Sequence, residues 1–259
     1  MLRWIVELGR ADIAMETSAL ASMMAMPRVG HLYAAVYYMF AFLNKVNHNG
    51  VMVFDPTEPD IDQSQFTTQD WSASAYGECK EEIPPNAPKA RSLGFTMRAF
   101  VDSDHAGDTI TRGSRTGFII SLNSAPIFWY SKKQGSGIET SSFGAEFIAM
   151  KQCCEYIRGL RYKLHMMGIP FDLPTYVFGD NQSVLANTSH PHSNPTKKSN
   201  SIGHHFVREG VAKDEWCSTY LNTHLNPPAD LLTKSLSGGE KRSQFTAYLL
   251  HYLSMDDND

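Results

Sequence analysis

The sequence predicts an α/β protein, a mixed five-stranded sheet flanked by helices, behind a small and mainly helical N-terminal segment. Three observations predict it. From Phe95 onward, stretches with the two-residue period of a strand alternate with stretches of helical period. Asn- and Pro-containing turns punctuate them. Four carboxylates, Asp102, Glu146, Asp180 and Asp230, each fall at the mouth of a predicted strand or in the first turns of a predicted helix.

Residues 1–54 read as helical and then as one short strand. Leu32, Val36, Met39, Leu43 and Val46 recur at steps of three and four and make one apolar stripe, after which Asn49-Gly50 turns the chain into VMVFD. Residues 55–94, with Pro56, Pro59, Pro84, Pro85 and Pro88 among acidic and small polar residues, read as a linker on which Phe66, Trp71 and Tyr76 can still dock. Residues 95–259 form the α/β domain.

In that domain Phe95, Met97, Ala99 and Val101 alternate with Arg98 and Phe100, and the strand ends on Asp102. A second strand covers Thr116 to Leu122, Asn123-Ser124 turns it, and a third runs from Pro126 to Tyr130. Pro126 lacks an N–H, so it belongs at a strand start or on an edge. Ser141 or Ser142 caps a long helix whose buried stripe is Phe147, Met150, Cys154, Ile157, Leu160 and Leu164, ending near Gly168. A fourth strand, Thr175 to Gly179, delivers Asp180, and 181–187 is a short helix. A polar loop follows, then a helix over 203–213 and a strand near 218–222. Pro227-Pro228 opens a helix carrying Asp230, since proline suits a first turn whose N–H groups are unpaired anyway. Phe245, Leu249 and Tyr252 mark a last amphipathic helix.

Composition sets the outer bounds. With 259 residues, 42% hydrophobic and 19% charged, the chain suits one sizeable core or two smaller ones. The apolar run LYAAVYYMFAFL is too short to cross a bilayer and no secretion signal is read, so no membrane partner and an intracellular, cytoplasmic location are expected. Cys79, Cys153, Cys154 and Cys217 form no CxxC pair, which fits a reducing compartment. The formal net charge of −4 runs against the basic footprint of a nucleic-acid binder. Lys132 with Lys133, Arg158 with Arg161 and Lys163, and Lys197 with Lys198 are the local exceptions. The histidines, His190, His192, His204, His205 and His224, complete no tetrahedral zinc set.

Singly, each carboxylate has an ordinary explanation as a turn former, helix cap or dipole partner. Jointly they do not. The carboxyl ends of adjacent parallel strands open into one crevice, where Asp102 and Asp180 can meet, with Glu146 and Asp230 arriving from helices. Four carboxylates without an obvious cationic partner are costly unless hard cations neutralise them, and magnesium prefers oxygen ligands. Two Mg2+ ions, or Mn2+ in their place, would meet that demand: one acidifying a water, the other stabilising a leaving 3′ oxygen in an in-line phosphodiester displacement. Asp102 is the expected bridging ligand, with Glu146 and Asp180 on the leaving-group side and Asp230 looser on the nucleophile side. Asp104 shares a strand face with Asp102, so the ligand choice between them stays open.

The blocks FVDSDHAGD, TRGSRTGF, APIFWYSKKQ, ETSSFGAEFIAMKQ, DNQSV, HHFVREGV and ADLLTK, in this order, resemble the ribonuclease H of copia-type retrotransposon Pol polyproteins. LRWIVELGRADIAM, PRVGHLYAA and VFDPTEPDID resemble the segment that follows the polymerase palm, a thumb or connection remnant. The resemblance implies cleavage of the RNA strand of RNA–DNA hybrids by one domain of a longer polyprotein, with the remaining reverse transcriptase domains as partners. Hybrid would be recognised by backbone shape and 2′-hydroxyls through Ser141, Ser142, Asn181 and Gln182, and its phosphates by Lys132, Lys133, Lys197 and Lys198. His224 would be placed to help a proton move or a product leave. Departures from the family pattern are His105 in place of a common tryptophan, Ser199-Asn200-Ser201 in place of His-Ile-Asp, and an insertion-like Gly135-Ser136-Gly137. The one Asp-Asp doublet, Asp256-Asp257, has no palm-like context, so polymerase activity is not expected. The alternative reading is a non-catalytic remnant that folds or binds nucleic acid without cutting it, and the net acidity favours it.

Overall fold

A central strand buried on both faces organises the computed structural model, which describes residues 1–46, 50–135, 139–193, 201–221, 227–236 and 239–252. That strand, β2 (Met97–Asp104), sends Met97, Ala99 and Val101 to one face of a sheet and Phe100 to the other. It pairs antiparallel with β3 (Arg115–Leu122), which pairs antiparallel with β4 (Ala125–Lys133). On its other side it pairs parallel with β5 (Thr175–Gly179), and β5 pairs parallel with β6 (Trp216–Tyr220). The strand order β4-β3-β2-β5-β6 is the ribonuclease H-like mixed sheet.

Local chemistry explains the turns. Asn123 adopts a left-handed φ of 50° in the β3–β4 hairpin, while its side chain accepts from Thr96 N–H and donates to Pro56 O. Pro126 does lie near the start of an edge strand, opposite Ser121, where the register slips. The strand runs three residues beyond the expected Tyr130. The β6 strand begins two residues before its expected start, because Trp216 is fully buried and its indole N–H donates to Val207 O.

Helix α5 (Ser142–Met166) covers one face, packing Phe147, Met150, Cys153, Cys154 and Ile157 on Met97, Ala99, Val101, Phe118 and Val177. Ser141 caps it and Gly168, at φ 81°, ends it. Two shorter helices, α6 (Gln182–Ser189) and α7 (Ser201–Ala212), follow β5 and precede β6. Gly210 is required where α7 meets the sheet, since a Cβ there would lie 1.9 Å from the Trp216 ring.

The second face is covered from both ends of the chain. Helices α1 (Leu2–Glu7) and α2 (Ala14–Ser22), with the 3-10 turn Ala11–Ile13 between them, join α8 (Pro227–Thr233) and α9 (Glu240–Leu249) over Phe100, Ile119, Tyr176 and Phe178. Arg242 fastens this layer, bonding the Glu16 carboxylate and Asp12 O.

The stripe from Leu32 to Val46 does not form one buried face. Helix α3 (Val29–Tyr33) passes into a π-helical stretch, Ala34–Phe40, before α4 (Ala41–Val46). Wider π turns rotate positions spaced by three and four off a common line. Leu32 and Val36 are exposed and Met39 alone of the first three is buried. The expected strand VMVFD is reduced to β1 (Gly50–Val51), whose antiparallel partner is β7 (His251–Tyr252), so Tyr252 sits in a strand and not in the last helix. Residues 55–94 hold one 3-10 turn, Gln63–Gln65, yet lie against the domain: Phe66 packs edge-on to Tyr176, and Trp71 is buried.

Candidate active site

Parallel pairing sets the site. Phe100 of β2 is in register with Phe178 of β5, so Asp102 and Asp180 each follow two residues later on the same face at the same end of the sheet. Glu146, in the second turn of α5, reaches over the strand ends. Carboxylate oxygens of Asp102, Glu146 and Asp180 lie within 4.8 Å of one another. Asp104 falls outside that trio; it is half-buried and lies against Gly107, whose Cβ position would be 1.6 Å from Asp104 Oδ2.

The last turn of α8 supplies what the trio lacks. The Thr233 hydroxyl donates to Asp102 Oδ2, and Lys234 places Nζ 3.4 Å from that oxygen while pairing with Asp230 Oδ1. Asp230 is buried in α8, outside the trio, and pairs with this lysine. Such close approach needs a glycine on β3. Gly117 is in register with Asp102, and a Cβ on it would lie 2.5 Å from Thr233 Cγ2 and 2.9 Å from Leu232 Cβ.

Charge is poorly balanced here. Burial raises Asp102 from 3.8 to about 7, against the Lys234 charge and the Thr233 hydrogen bond, with Asp180 and Asp230 adding to the rise. Burial also raises Glu146 from 4.5 to about 9, assisted by the charges of Asp102 and Asp180. Asp180 moves up for the same first reason. Lys234 is driven above its ordinary value, because the carboxylates of Asp102, Asp230 and Asp180 outweigh the cost of burying it. The two sides of the Asp102–Lys234 pair thus respond unequally: the cation is held firmly charged, while the buried acid is not fully compensated. Asp102 Oδ1 is buried without a hydrogen-bond partner. An orphaned oxygen on a carboxylate that lies within 4.8 Å of two others fits a hard divalent cation.

The expectation that no cationic partner accompanies the carboxylates is therefore corrected. Lys234 was legible only as a basic residue near a helix end; its reach to Asp102 depends on α8 packing over Gly117.

Other expected contacts sort into three groups. Ser141 Oγ accepts from Gly144 N–H and Asn181 Oδ1 from Val184 N–H, so both are engaged as helix caps, whereas Ser142 and Gln182 beside them are exposed. Lys132 is exposed over the Tyr130 ring and Lys133 pairs with Asp108 at 2.9 Å, both on the edge strand β4. Lys197, Lys198 and His224 lie outside the described residues, as do Asn49, Ser136, Gly137, Ser199, Asn200, Asp256 and Asp257. The Arg158–Arg161 cluster is not a phosphate site: Arg158 pairs with Glu215 and Glu209, and Arg161 is buried against Glu81.

No protein-family model matches the chain. The retrovirus-related Pol polyprotein from transposon RE2 of Arabidopsis thaliana is 31% identical over 143 residues, 55% of this chain and 10% of that protein. That from transposon TNT 1-94 of Nicotiana tabacum is 28% identical over 138 residues, 53% of this chain and 10% of that protein. The chain is similar to these plant-transposon polyproteins over about a tenth of their length. Among solved structures, ribonuclease H1 of the archaeon Halobacterium salinarum is 16% identical at a TM-score of 0.40, covering 53% of this chain and 93% of that one. LC11-RNase H1 in complex with an RNA/DNA hybrid is 15% identical at a TM-score of 0.41, covering 53% and 93%. Among the described residues, no helix is long and apolar enough to cross a membrane.

Proposed function

We propose that this chain is a metal-dependent endonuclease that hydrolyses the RNA strand of RNA–DNA hybrids, as one part of a retrotransposon polyprotein. The observation that carries the reading is the trio of Asp102, Glu146 and Asp180 within 4.8 Å, with the buried Asp102 Oδ1 left without a partner. The ribonuclease H-like sheet and the Pol polyprotein relatives support a nuclease role.

In this reading residues 95–259 are the nuclease domain, 1–54 the thumb or connection remnant and 55–94 the link between them. Asp102, Glu146 and Asp180 would hold magnesium, with Asp230 as a looser ligand. When bound there, the metal supplies a water acidic enough to attack and neutralises charge gathering on the departing oxygen. The chain's own work is positional. Thr233 fixes one oxygen of Asp102, and the other, without a protein donor, would be available to hold a metal. Ser142 and Gln182, exposed beside the trio, would meet sugar hydroxyls, and Lys132 and Lys133 the phosphates of the paired strand. Lys197 and Lys198 carry the same proposed role.

A labelled RNA–DNA hybrid incubated with the chain tests this directly. RNA-strand cleavage that requires magnesium, persists in Asp104→Asn and disappears in Asp102→Asn and Asp180→Asn is the expected result. A cooperatively folded chain that binds hybrid and leaves it intact with magnesium would overturn the reading in favour of a non-cutting remnant.

A further inference from the structure

We infer that Lys234 is a built-in cation standing, in the resting site, where one of two divalent ions would otherwise lie, between Asp102 and Asp230. The inference rests on the nuclease reading above and assigns a residue to its metal economy. Asp230 belongs to no three-carboxylate cluster among the described residues, and it pairs with the Lys234 ammonium. That ammonium also lies 3.4 Å from Asp102 Oδ2, so it sits between the two carboxylates as a bridging ion would. An ordinary i,i+4 pair on a helix surface joins two solvated groups. Here Asp102 is 1% and Asp230 3% exposed, while the Lys234 side chain is 36% exposed. The acids are fixed and the cation has a way out to solvent.

Helix geometry makes this arrangement specific. Lys234 stands four residues after Asp230, and its N–H closes the last α8 bond onto Asp230 O at 2.9 Å. The preceding Thr233 ties the same turn to Asp102. One ion is thereby left to the trio of Asp102, Glu146 and Asp180, and a second enters only as the lysine swings away.

Counting bound Mn2+ on the full chain by calorimetry and electron paramagnetic resonance tests the inference without any turnover. Over the concentration range that fills the first site, the parent and Lys234→Arg bind one ion, whereas Lys234→Met and Lys234→Gln bind two. The rise in melting temperature on adding Mn2+ is larger in the two uncharged variants. Two ions bound by the parent, or one by both uncharged variants, would overturn the inference and leave the nuclease reading standing. No ion bound by the parent or any variant would overturn both.

Discussion

Helix α5 carries buried charge at both ends, and the two ends settle it differently. Near its C-terminus Arg161, 2% exposed, donates to both oxygens of Glu81 at 2.7 and 2.5 Å. It also bonds Thr175 Oγ1 at 3.1 Å and stacks over Phe171. Near its N-terminus, about 22 Å away along the axis, Glu146 faces Asp102 and Asp180. Asp230 adds a fourth carboxylate, and Lys234 is the one cation paired with this group among the described residues. In the first cluster a planar guanidinium meets a carboxylate in matched geometry, and every nitrogen of Arg161 has an acceptor supplied by the fold. The second is short of positive charge and leaves an oxygen without a donor. A buried pair that is complete is architecture, while a buried set that is incomplete asks for something from solution.

Removing one acid from each end is the strongest way to break that comparison. Glu146→Gln takes away a carboxylate that its neighbours oppose. Hybrid cleavage should fall to background while the melting temperature of the metal-free chain stays level or rises. Glu81→Gln instead strands the Arg161 charge in a nearly dry site, at a cost of about 3–5 kcal/mol. Its melting temperature should drop by several degrees, and cleavage below that temperature should persist. Equal destabilisation by the two changes, measured by thermal melts, would mean that both ends are structural.

The same contrast marks what a sequence can disclose. Strand ends, caps and the α5 stripe are local, so the meeting of Asp102, Glu146 and Asp180 could be anticipated from where each sits in its element. Arg158 and Arg161 read as a basic cluster because their acids, Glu215 and Glu81, are distant in sequence. Nothing in the sequence sets Gly117 apart from other strand glycines; only α8 lying on it shows that the approach of Thr233 and Lys234 depends on the missing side chain. The Leu32-to-Val46 stripe misled for a related reason, since π turns change the period that the spacing presupposes. Helical spacing groups Tyr252 with Phe245 and Leu249, yet its backbone pairs with Gly50 from the other end of the chain.

A smaller effect should come from the tie between β2 and α8. Thr233→Val keeps the shape of a fully buried side chain and deletes the hydroxyl that holds Asp102 Oδ2. Partners that orient a ligand typically contribute about 10–100-fold in metal affinity or activity. Magnesium titrations of cleavage should therefore shift to higher concentration by that order, and Thr233→Ser should restore most of the loss. A parent-like titration in Thr233→Val would show that packing over Gly117 alone aligns Asp102.

The mildest test uses protons in place of substitutions. Asp102 titrates near 7 in the folded chain against an ordinary 3.8, and Glu146 near 9 against 4.5. Between those values the folded chain keeps protons that the unfolded chain has released. Metal-free stability is thus fullest near pH 4 as far as these two groups are concerned, and it declines as pH rises to about 9. Lys234, held above its ordinary value of 10.5, stays charged across this window and does not drive the decline. Melting temperatures should fall by a few degrees from pH 5 to pH 8.5 without metal. Magnesium should flatten the trend by replacing the lost protons as counter-charge, and Glu146→Gln should reduce it without metal. A flat profile in the metal-free parent would mean that Lys234 already balances the carboxylates, and the contrast between the two ends of α5 would then be one of geometry alone.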